Sequence, residues 1–338
     1  MIINLTYYFI IILIISLLLD LLIGELPSYI HPVVIIGKFI DFFTNLFKSY
    51  SSKLAGVYLT LGTLTLSTLI LIIIYYVLIR LNLLFNSILS NFILIFLLSL
   101  ILSSLYSVNM LVNATLSIKN DLDESLDKAR KSMSYLVSRN TNDLSEDFII
   151  SASIETMTEN ITDSYVSSIF YYFLFIFIGS FFNLNMYSLL FLGIFGVLLQ
   201  RVVNTLDAMV GYKNNELKYI GWFPAHLDDI LNYIPARFSG FMVVISSLFL
   251  KLDFVNSFKV FKRDSNSTPS PNSGFTMAAV AGALDIQLIK KDTYVLGDNI
   301  KNISKNDIIV AIKLTCVSIV LSTLVLVLVF LILSSLFV

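Results

Sequence analysis

The sequence predicts an all-α, polytopic membrane protein with about five to seven membrane segments and large polar loops. Of its 338 residues, 57% are hydrophobic and only 13% are charged, whereas soluble domains carry about 25% charged residues. Long apolar runs recur along the chain, and several approach the roughly 20 residues that a helix needs to cross a bilayer. Backbone groups in lipid must bond to one another, so each run is expected to be helical.

The apolar runs predict the spans in chain order. The first, about 2–23, lacks the basic start and small-residue cleavage site of a signal peptide and is predicted to be a retained span. Two hairpins and a final span follow. The stretch 238–250 is short for a crossing, so we expect a re-entrant or interfacial element there. The predicted hairpins and final span are 55–79 with 92–112, 166–182 with 186–199, and 309–338.

Polar segments separate these spans within what we expect to be one integral membrane domain, 1–338. Of the 22 Lys and Arg residues, only Arg80 lies at the opposite end of a hairpin from the others. The positive-inside rule therefore places the first three polar segments in the cytoplasm and the chain in the cell membrane. The fourth segment joins them only if 238–250 dips into the membrane and returns, whereas a full crossing would place nine basic residues outside, against the rule. A net charge of −1 gives no argument for a nucleic-acid partner. The segments are about 24–53, 113–165, 200–237 and 251–306.

The segment 113–165 shows helical periodicity. Its apolar residues recur every three or four positions with charges between them, which predicts one amphipathic helix. Ser145, followed by two acidic residues, is the predicted N-cap of a helix that enters the fourth span. The periodic apolar residues are Leu122, Leu126, Ala129, Met133 and Leu136.

Three carboxylates recur at intervals of four residues beside Asn160: Glu155, Glu159 and Asp163. This spacing places them on one helix face, where they repel one another unless a cation compensates. Mg²⁺, bound partly through water and phosphates, would do so. A solvated helix face is the alternative.

A second set of polar residues follows the fifth span. Asn204 and Asp207 face together on a helix, and Asp228 and Asn232 are one helical turn apart with Asp229 beside them. Adjacent carboxylates can hold a metal or act as an acid/base pair with split pKa values. Helix capping and loop hydrogen bonding are the alternative.

Four further features are candidates for ligand binding. Arg237 could clamp a phosphate or carboxylate through two hydrogen bonds. The turn at 270–274 precedes a helix rich in small residues, whose N-terminus could hold a phosphate, although no Walker loop is present. Asp20 near the end of the first span is a functional candidate or a solvated interfacial residue. His31, before a proline, is a turn residue or a site residue.

Together these motifs resemble the adenosylcobinamide-phosphate synthase family of cobalamin biosynthesis, a family of membrane-bound enzymes. The resemblance runs from Asp20 to about Gly297, and the chain departs from the family pattern at Glu25, Asn140 and Ser164. The motifs that carry it are Leu-Asp20-Leu-Leu-Ile-Gly24, His31-Pro32-Val33 with Gly37, Ser138-Arg139-Asn140-Thr141, Glu155-Thr-Met-Thr-Glu159-Asn160-Ile-Thr-Asp163, Asn204-Thr-Leu-Asp207-Ala-Met-Val-Gly211-Tyr212-Lys213, Asp228-Asp229-Ile-Leu-Asn232-Tyr-Ile-Pro235-Ala-Arg237 and Ser270-Pro271-Asn272-Ser-Gly274.

The resemblance implies an ATP- and Mg²⁺-dependent carbon–nitrogen ligase. Such an enzyme joins adenosylcobyric acid to 1-amino-2-propanol phosphate, or a related amino alcohol phosphate, and releases adenosylcobinamide phosphate. Arg139 and Arg237 would neutralise phosphate charge. The implied catalytic residues are Asp207, Asp228, Asp229 and Arg237; the implied substrate-binding residues are His31, Arg139, Asn160, Asn204, Asn232, Ser270 and Asn272; the implied metal ligands are Glu155, Glu159 and Asp163.

Two other functions fit parts of the sequence. A carrier of a corrinoid or another organic anion would use Asp20 and a broken helix at 238–250, but the polar motifs lie mostly outside the apolar runs and no half of the chain is repeated. A catalytically silent relative would be expected to have lost the acidic motifs, which are retained. The expected partners are the two substrates, the lipid bilayer and other enzymes of cobalamin biosynthesis.

Overall fold

The computed structural model describes residues 2–50, 52–212 and 216–335, with side chains from Tyr7 onward. Lys213 of the second polar motif and the end of the last predicted span, 336–338, lie outside this part of the chain. The helices of the first half are α1 (Ile2–Ile23), α2 (Pro32–Phe47), α3 (Lys53–Phe85), α4 (Ile88–Ser103), α5 (Val108–Glu124), α6 (Leu126–Ser134) and α7 (Glu146–Ile161).

The second half begins with a π-helical turn that joins α7 to α8. It also contains a two-stranded antiparallel hairpin, in which Leu288 pairs with Leu296. The elements are the π turn (Thr162–Val166), α8 (Ser167–Ser180), α9 (Met186–Val210), α10 (Trp222–Leu231), α11 (Tyr233–Phe249), α12 (Phe254–Asp264), α13 (Gly274–Ala283), β1 (Leu288–Lys290), β2 (Tyr294–Leu296) and α14 (Lys305–Ser335).

The helices confirm the predicted fold class. Among the described residues, four helical segments are long and apolar enough to cross a membrane: Lys53–Phe85, Glu146–Ser180, Met186–Val210 and Lys305–Ser335. A fifth crossing results if α4 and α5 form one bent span. The protein is therefore a multi-pass membrane protein. Helix α11 contains all of the stretch 238–250 except Leu250, which is its C-cap residue. It has 17 residues and a length of about 25 Å at 1.5 Å per residue, and its membrane role stays a prediction.

Turn and cap residues follow the sequence signals at several helix ends. Asn183 adopts a left-handed conformation between α8 and α9, and Asn185 caps α9 by accepting a 2.9 Å hydrogen bond from the Ser188 N–H. This confirms the tight second hairpin. Ser145 is the N-cap residue of α7, although its side chain makes no cap hydrogen bond.

The amphipathic helix predicted across 122–136 is wrong in one respect, because the structure divides it. Helix α5 ends at Glu124, and Ser125 starts α6 by accepting a hydrogen bond from the Lys128 N–H. Leu136 lies beyond α6 and is exposed. A serine that bonds to the backbone two or three residues ahead competes with continued helix, which explains the break. The β hairpin was also not predicted.

The chain forms two compact units. Unit 1 comprises Met1–Ser107, Ser167–Leu231 and Leu326–Val338, and unit 2 comprises Val108–Val166 and Asn232–Val325. In unit 2, α7 and α13 lie at the centre of the hydrophobic core, and every residue of α13 is buried. The Cβ that a larger residue would place at Gly274 would lie 2.1 Å from the Ser265 carbonyl oxygen, so the start of α13 requires glycine.

Candidate functional site

In unit 1, polar residues from two separate motifs meet where α9 packs against α10. The Asn204 side-chain amide donates to a carboxylate oxygen of Asp228 at 3.5 Å. Asp207, one turn further along α9, interacts electrostatically with Asp229. All four side chains are half-buried. We call Asn204, Asp207, Asp228 and Asp229 the α9–α10 cluster.

Contacts at both ends of α10 hold it against its neighbours. The Tyr171 hydroxyl, on α8, donates to the Leu231 carbonyl at 2.8 Å. Just before α10, a Cβ at Gly221 would lie 1.9 Å from the Val210 carbonyl oxygen at the end of α9. Because only glycine permits this approach, Gly221 lets the start of α10 lie next to the end of α9. The α9–α10 cluster is thus held by packed helices.

His31 is the N-cap residue of α2, where its Nδ1 accepts a hydrogen bond from the Val33 N–H at 3.2 Å. Burial lowers the pKa of His31; the nearby Glu25 carboxylate opposes this change and the Arg201 guanidinium adds to it. Only a neutral imidazole can accept a hydrogen bond through Nδ1, so the lowered pKa and the capping bond both favour the neutral form of His31. The contacts favour the turn-residue interpretation, and substrate binding by His31 stays a prediction.

In unit 2, Glu155 is the centre of a buried polar network. Its side chain is 5% exposed and lies 3.4 Å from the Arg139 guanidinium. It also accepts hydrogen bonds from the Ser151 hydroxyl at 2.6 Å and the Tyr294 hydroxyl at 2.9 Å. The Ser151 hydroxyl in turn accepts from the Ile289 N–H. We call Ser151, Glu155, Arg139 and Tyr294 the Glu155 network.

The Glu155 network joins α7 to the β hairpin. Tyr294 lies on β2 and Ile289 on β1, so both strands bond to one face of α7. Burial raises the pKa of Tyr294, and the neighbouring Glu155 carboxylate raises it further. The phenol therefore stays protonated and donates to the carboxylate over a wide pH range.

The other two predicted metal ligands lie further along the same helix. Glu159 is on α7, whereas Asp163 lies in the π turn, whose larger number of residues per turn interrupts the four-residue spacing. Asn160 donates to the Thr156 carbonyl at 2.8 Å. Within the described residues, no group of three or more His, Cys, Asp or Glu side chains is arranged to hold a metal.

A second polar site in unit 2 surrounds Arg237 on α11. Its guanidinium carbon lies 3.4 Å from the centre of the Tyr233 ring and 4.3 Å from that of Phe275. One guanidinium nitrogen donates to the Tyr233 carbonyl at 2.7 Å and to the Asn272 side-chain oxygen at 3.3 Å. The structure thus brings together two predicted site residues, Arg237 and Asn272, which are 35 positions apart. We call Arg237, Tyr233, Phe275 and Asn272 the Arg237 site.

Residues of the loop before α13 shape the Arg237 site. The Ser270 hydroxyl accepts hydrogen bonds from the N–H groups of Asn272 and Ser273 at 3.2 and 3.4 Å. This local turn places Asn272, which is 7% exposed, directly before Ser273, the N-cap residue of α13. Ser270 therefore orders the loop and is not itself bonded to Arg237.

A model of the CobD/Cbib protein family matches residues 13–333. The chain belongs to the CobD/Cbib family. Among its relatives are probable cobalamin biosynthesis proteins CobD of three methanogens. That of Methanothermobacter thermautotrophicus is 43% identical over 313 residues, which cover 93% of this chain and 95% of the relative.

The other two relatives are more distant. The protein of Methanococcus maripaludis is 37% identical over 279 residues, covering 82% of this chain and 85% of its own length. The protein of Methanocaldococcus jannaschii is 35% identical over 296 residues, which cover 88% of this chain and 91% of the relative. No solved structure matches the chain. The matches show the resemblance inferred from the motifs to be a family relationship in cobalamin biosynthesis.

The structure corrects one expectation for this CobD/Cbib family chain and adds one residue. Asp228 and Asn232 were expected on one helix, but α10 ends at Leu231 and Asn232 is the buried N-cap residue of α11. Sequence reasoning also missed Tyr294, whose partner Glu155 is 139 positions away. Two short runs rich in apolar and β-forming residues, Leu288-Ile289-Lys290 and Tyr294-Val295-Leu296, flank Asp292 and were the available signal for the hairpin.

Proposed function

We propose that the chain is an ATP-dependent carbon–nitrogen ligase. It would join an amino alcohol phosphate such as 1-amino-2-propanol phosphate to a side-chain carboxylate of adenosylcobyric acid, giving adenosylcobinamide phosphate. Membership of the CobD/Cbib family supports a role in cobalamin biosynthesis. The observation that carries the finer proposal is the α9–α10 cluster, in which two motifs 24 positions apart place three carboxylates and an amide together.

The chemistry requires activation of a carboxylate before an amine can attack it. Transfer of the γ-phosphoryl group of ATP to the carboxylate gives an acyl phosphate and ADP. The amine then attacks the acyl carbon, an amide C–N bond forms and inorganic phosphate leaves. The attacking ammonium group must lose two protons, one before and one after attack, so carboxylates of the α9–α10 cluster have a clear role as proton acceptors.

Mg²⁺ is implied as the companion of ATP. Carboxylate oxygens suit this ion, which usually takes one or two protein carboxylates and completes its shell with phosphates and water. Glu159 and Asp163 fit that requirement in chemical type. Glu155 fits it less well, because its two oxygens already accept bonds from Ser151 and Tyr294 and one lies close to Arg139. When bound, Mg²⁺ would neutralise nucleotide phosphate charge.

The test is product formation by the purified protein in detergent. Wild-type protein, adenosylcobyric acid, ATP, Mg²⁺ and 1-amino-2-propanol phosphate are expected to give the amide product and ADP, detected by mass spectrometry. Asp228→Asn and Asp207→Asn are each expected to lower the rate by about 100-fold or more, the usual contribution of a general base. Asp127→Asn, at a carboxylate that is 90% exposed, is the matched control and should keep the wild-type rate.

A carrier of organic anions is the second candidate. The observation that favours it is Asp20, a carboxylate that is 2% exposed on the apolar helix α1, since ionisable groups at membrane depth mark transport paths. Uptake of corrinoid into reconstituted vesicles, with no amide product in the assay above, would contradict the ligase proposal and support the carrier.

We also propose that the polar segments face the cytoplasm of the cell. The support is the concentration of Lys and Arg in them. Cys316 is the only cysteine, so a Cys316→Ser background allows single cysteines to be placed at exposed Asp127 and at Asn86 between α3 and α4. An impermeant thiol reagent added to intact cells should label position 86 and not position 127. The reverse labelling would overturn the orientation.

A further inference from the structure

Arg237 carries a charge that no carboxylate balances within the part of the chain that the structure describes. Ion pairs with acidic side chains are formed by Arg130, Arg139 and Arg263, and none involves Arg237. Its contacts are two aromatic rings and two oxygen acceptors, the Tyr233 carbonyl and Asn272. Rings on which the guanidinium stacks hold its plane in one orientation, so the unused N–H groups form a rigid donor array suited to an anion.

The start of α13 adds a second source of positive potential. Phe275, whose ring contacts Arg237, is the second residue of this helix. Ser273 is the N-cap residue, and its side chain makes no cap hydrogen bond. The backbone N–H groups of a first helical turn bind anions when no side chain satisfies them.

An independent feature at the same helix end is the hydroxyl of Thr276. The residue is 1% exposed, and its hydroxyl oxygen has no hydrogen-bond partner among the described residues. Thr276 is the third residue of α13, and a Cα–Cβ bond in a helix tilts towards the helix N-terminus. A buried hydroxyl left without a partner destabilises a protein. Thr276 lies in the same first turn of α13 as Phe275, whose ring contacts Arg237, so a ligand bound at this helix end would supply the missing bond.

We propose that the Arg237 site, with Thr276 and the N-terminus of α13, binds the phosphate monoester of the amino alcohol substrate. The inference rests on the proposed ligase function and assigns one substrate group to one site. A phosphate monoester carries a charge of about −1.5 to −2 at pH 7. One guanidinium and a helix dipole of about +0.5 nearly match it, whereas the triphosphate of ATP would require more cationic groups.

The site therefore selects the phosphorylated amino alcohol over the free one. Binding is measured by calorimetry on the purified full chain in detergent, with 1-amino-2-propanol phosphate, 1-amino-2-propanol and ATP as separate probes. Wild type should bind the phosphate ester at least about 30-fold more tightly than the free amino alcohol, the range expected for charge-assisted hydrogen bonds to a phosphate. Arg237→Gln should remove this difference and leave ATP binding unchanged.

Arg80→Gln is the matched control, because the Arg80 guanidinium also lies over a tyrosine ring four residues earlier, 5.2 Å from the centre of Tyr76, but is exposed. This variant should keep the wild-type difference in affinity between the phosphate ester and the free amino alcohol. If Arg237→Gln lost ATP binding but still bound the phosphate ester more tightly than the free amino alcohol, the assignment would be overturned. Arg237 would then belong to a nucleotide site.

Two more variants test the site while the Arg237 side chain is kept. Asn272→Asp places a carboxylate against Arg237 and should weaken binding of the phosphate ester about as much as Arg237→Gln. Thr276→Val removes only the hydroxyl; it should weaken ester binding several-fold without lowering the unfolding temperature of the ligand-free protein. Unchanged binding in both variants would refute the site.

Failure of this inference can be told apart from failure of the proposed function. If tighter binding of the phosphate ester than of the free amino alcohol depends on Arg237, but no amide product forms under any condition, the phosphate site is upheld and the ligase proposal is rejected. Amide product with no discrimination between the two amines would uphold the ligase and reject the site.

Discussion

Arg139 and Arg237 both belong to unit 2, and the motifs implied the same role for both, yet their surroundings differ. Arg139 is 20% exposed and pairs with Glu155, a carboxylate that is itself almost fully buried. Arg237 lies against two aromatic rings and is bonded to neutral oxygen atoms. A phosphate that approached Arg139 would compete with an existing carboxylate, whereas one that approached Arg237 would not.

The difference shows how environment separates a structural from a ligand-binding arginine. Removing one partner of a buried ion pair leaves the other charge poorly solvated, so the Glu155 network is expected to contribute mainly to stability. A stacked guanidinium with no acidic partner adds little stability, and its main expected contribution is to binding. Three unfolding measurements on the ligand-free protein test this contrast.

Glu155→Leu is expected to lower the free energy of unfolding by about 2–3 kcal/mol, because it leaves Arg139 without a counter-ion and two hydroxyl groups without an acceptor. Unfolding in detergent, followed by circular dichroism during a denaturant titration, measures the change. The control is Asp127→Leu, which removes the carboxylate of the exposed Arg130 pair and should cost about 0.5 kcal/mol or less. Equal effects in the two variants would reject the structural role of the Glu155 network.

Tyr294→Phe is expected to cost about 1.5 kcal/mol, the value of a hydrogen bond to a charged acceptor. The raised pKa of Tyr294 gives the pH dependence. A group whose pKa is raised on folding contributes stability below its unfolded pKa, about 10 for tyrosine, and loses it as pH rises through the folded value. The stability difference between wild type and Tyr294→Phe should therefore be constant up to about pH 10 and shrink above it; a difference that grows there would contradict this account.

Arg237→Gln is expected to change the stability of the ligand-free protein least, by about 1 kcal/mol or less, the size of a partly exposed cation–π contact. The same unfolding experiment measures it. A loss as large as that of Glu155→Leu would show that Arg237 is a structural residue, and the contrast between the two arginines would fail.

Much of the fold follows from local pattern. Apolar runs predicted the membrane helices, and Asn183 and Asn185 marked the turn between α8 and α9. The break between α5 and α6 was missed, since a periodic apolar pattern continues across Ser125 while the backbone does not. The β hairpin was missed because each strand has only three residues, too few for periodicity to show.

For the site, the motifs alone were enough to show which segments carry polar chemistry and which family the chain is similar to. Spacing along a helix also brought Asn204 and Asp207 to one end of α9. The contacts of Asn204 with Asp228, of Glu155 with Tyr294 and of Arg237 with Asn272 depend on how the helices pack. These partners are 24, 139 and 35 positions apart, and side-chain periodicity carries no information across such distances. Whether a charge is balanced depends on contacts that form only when the helices pack.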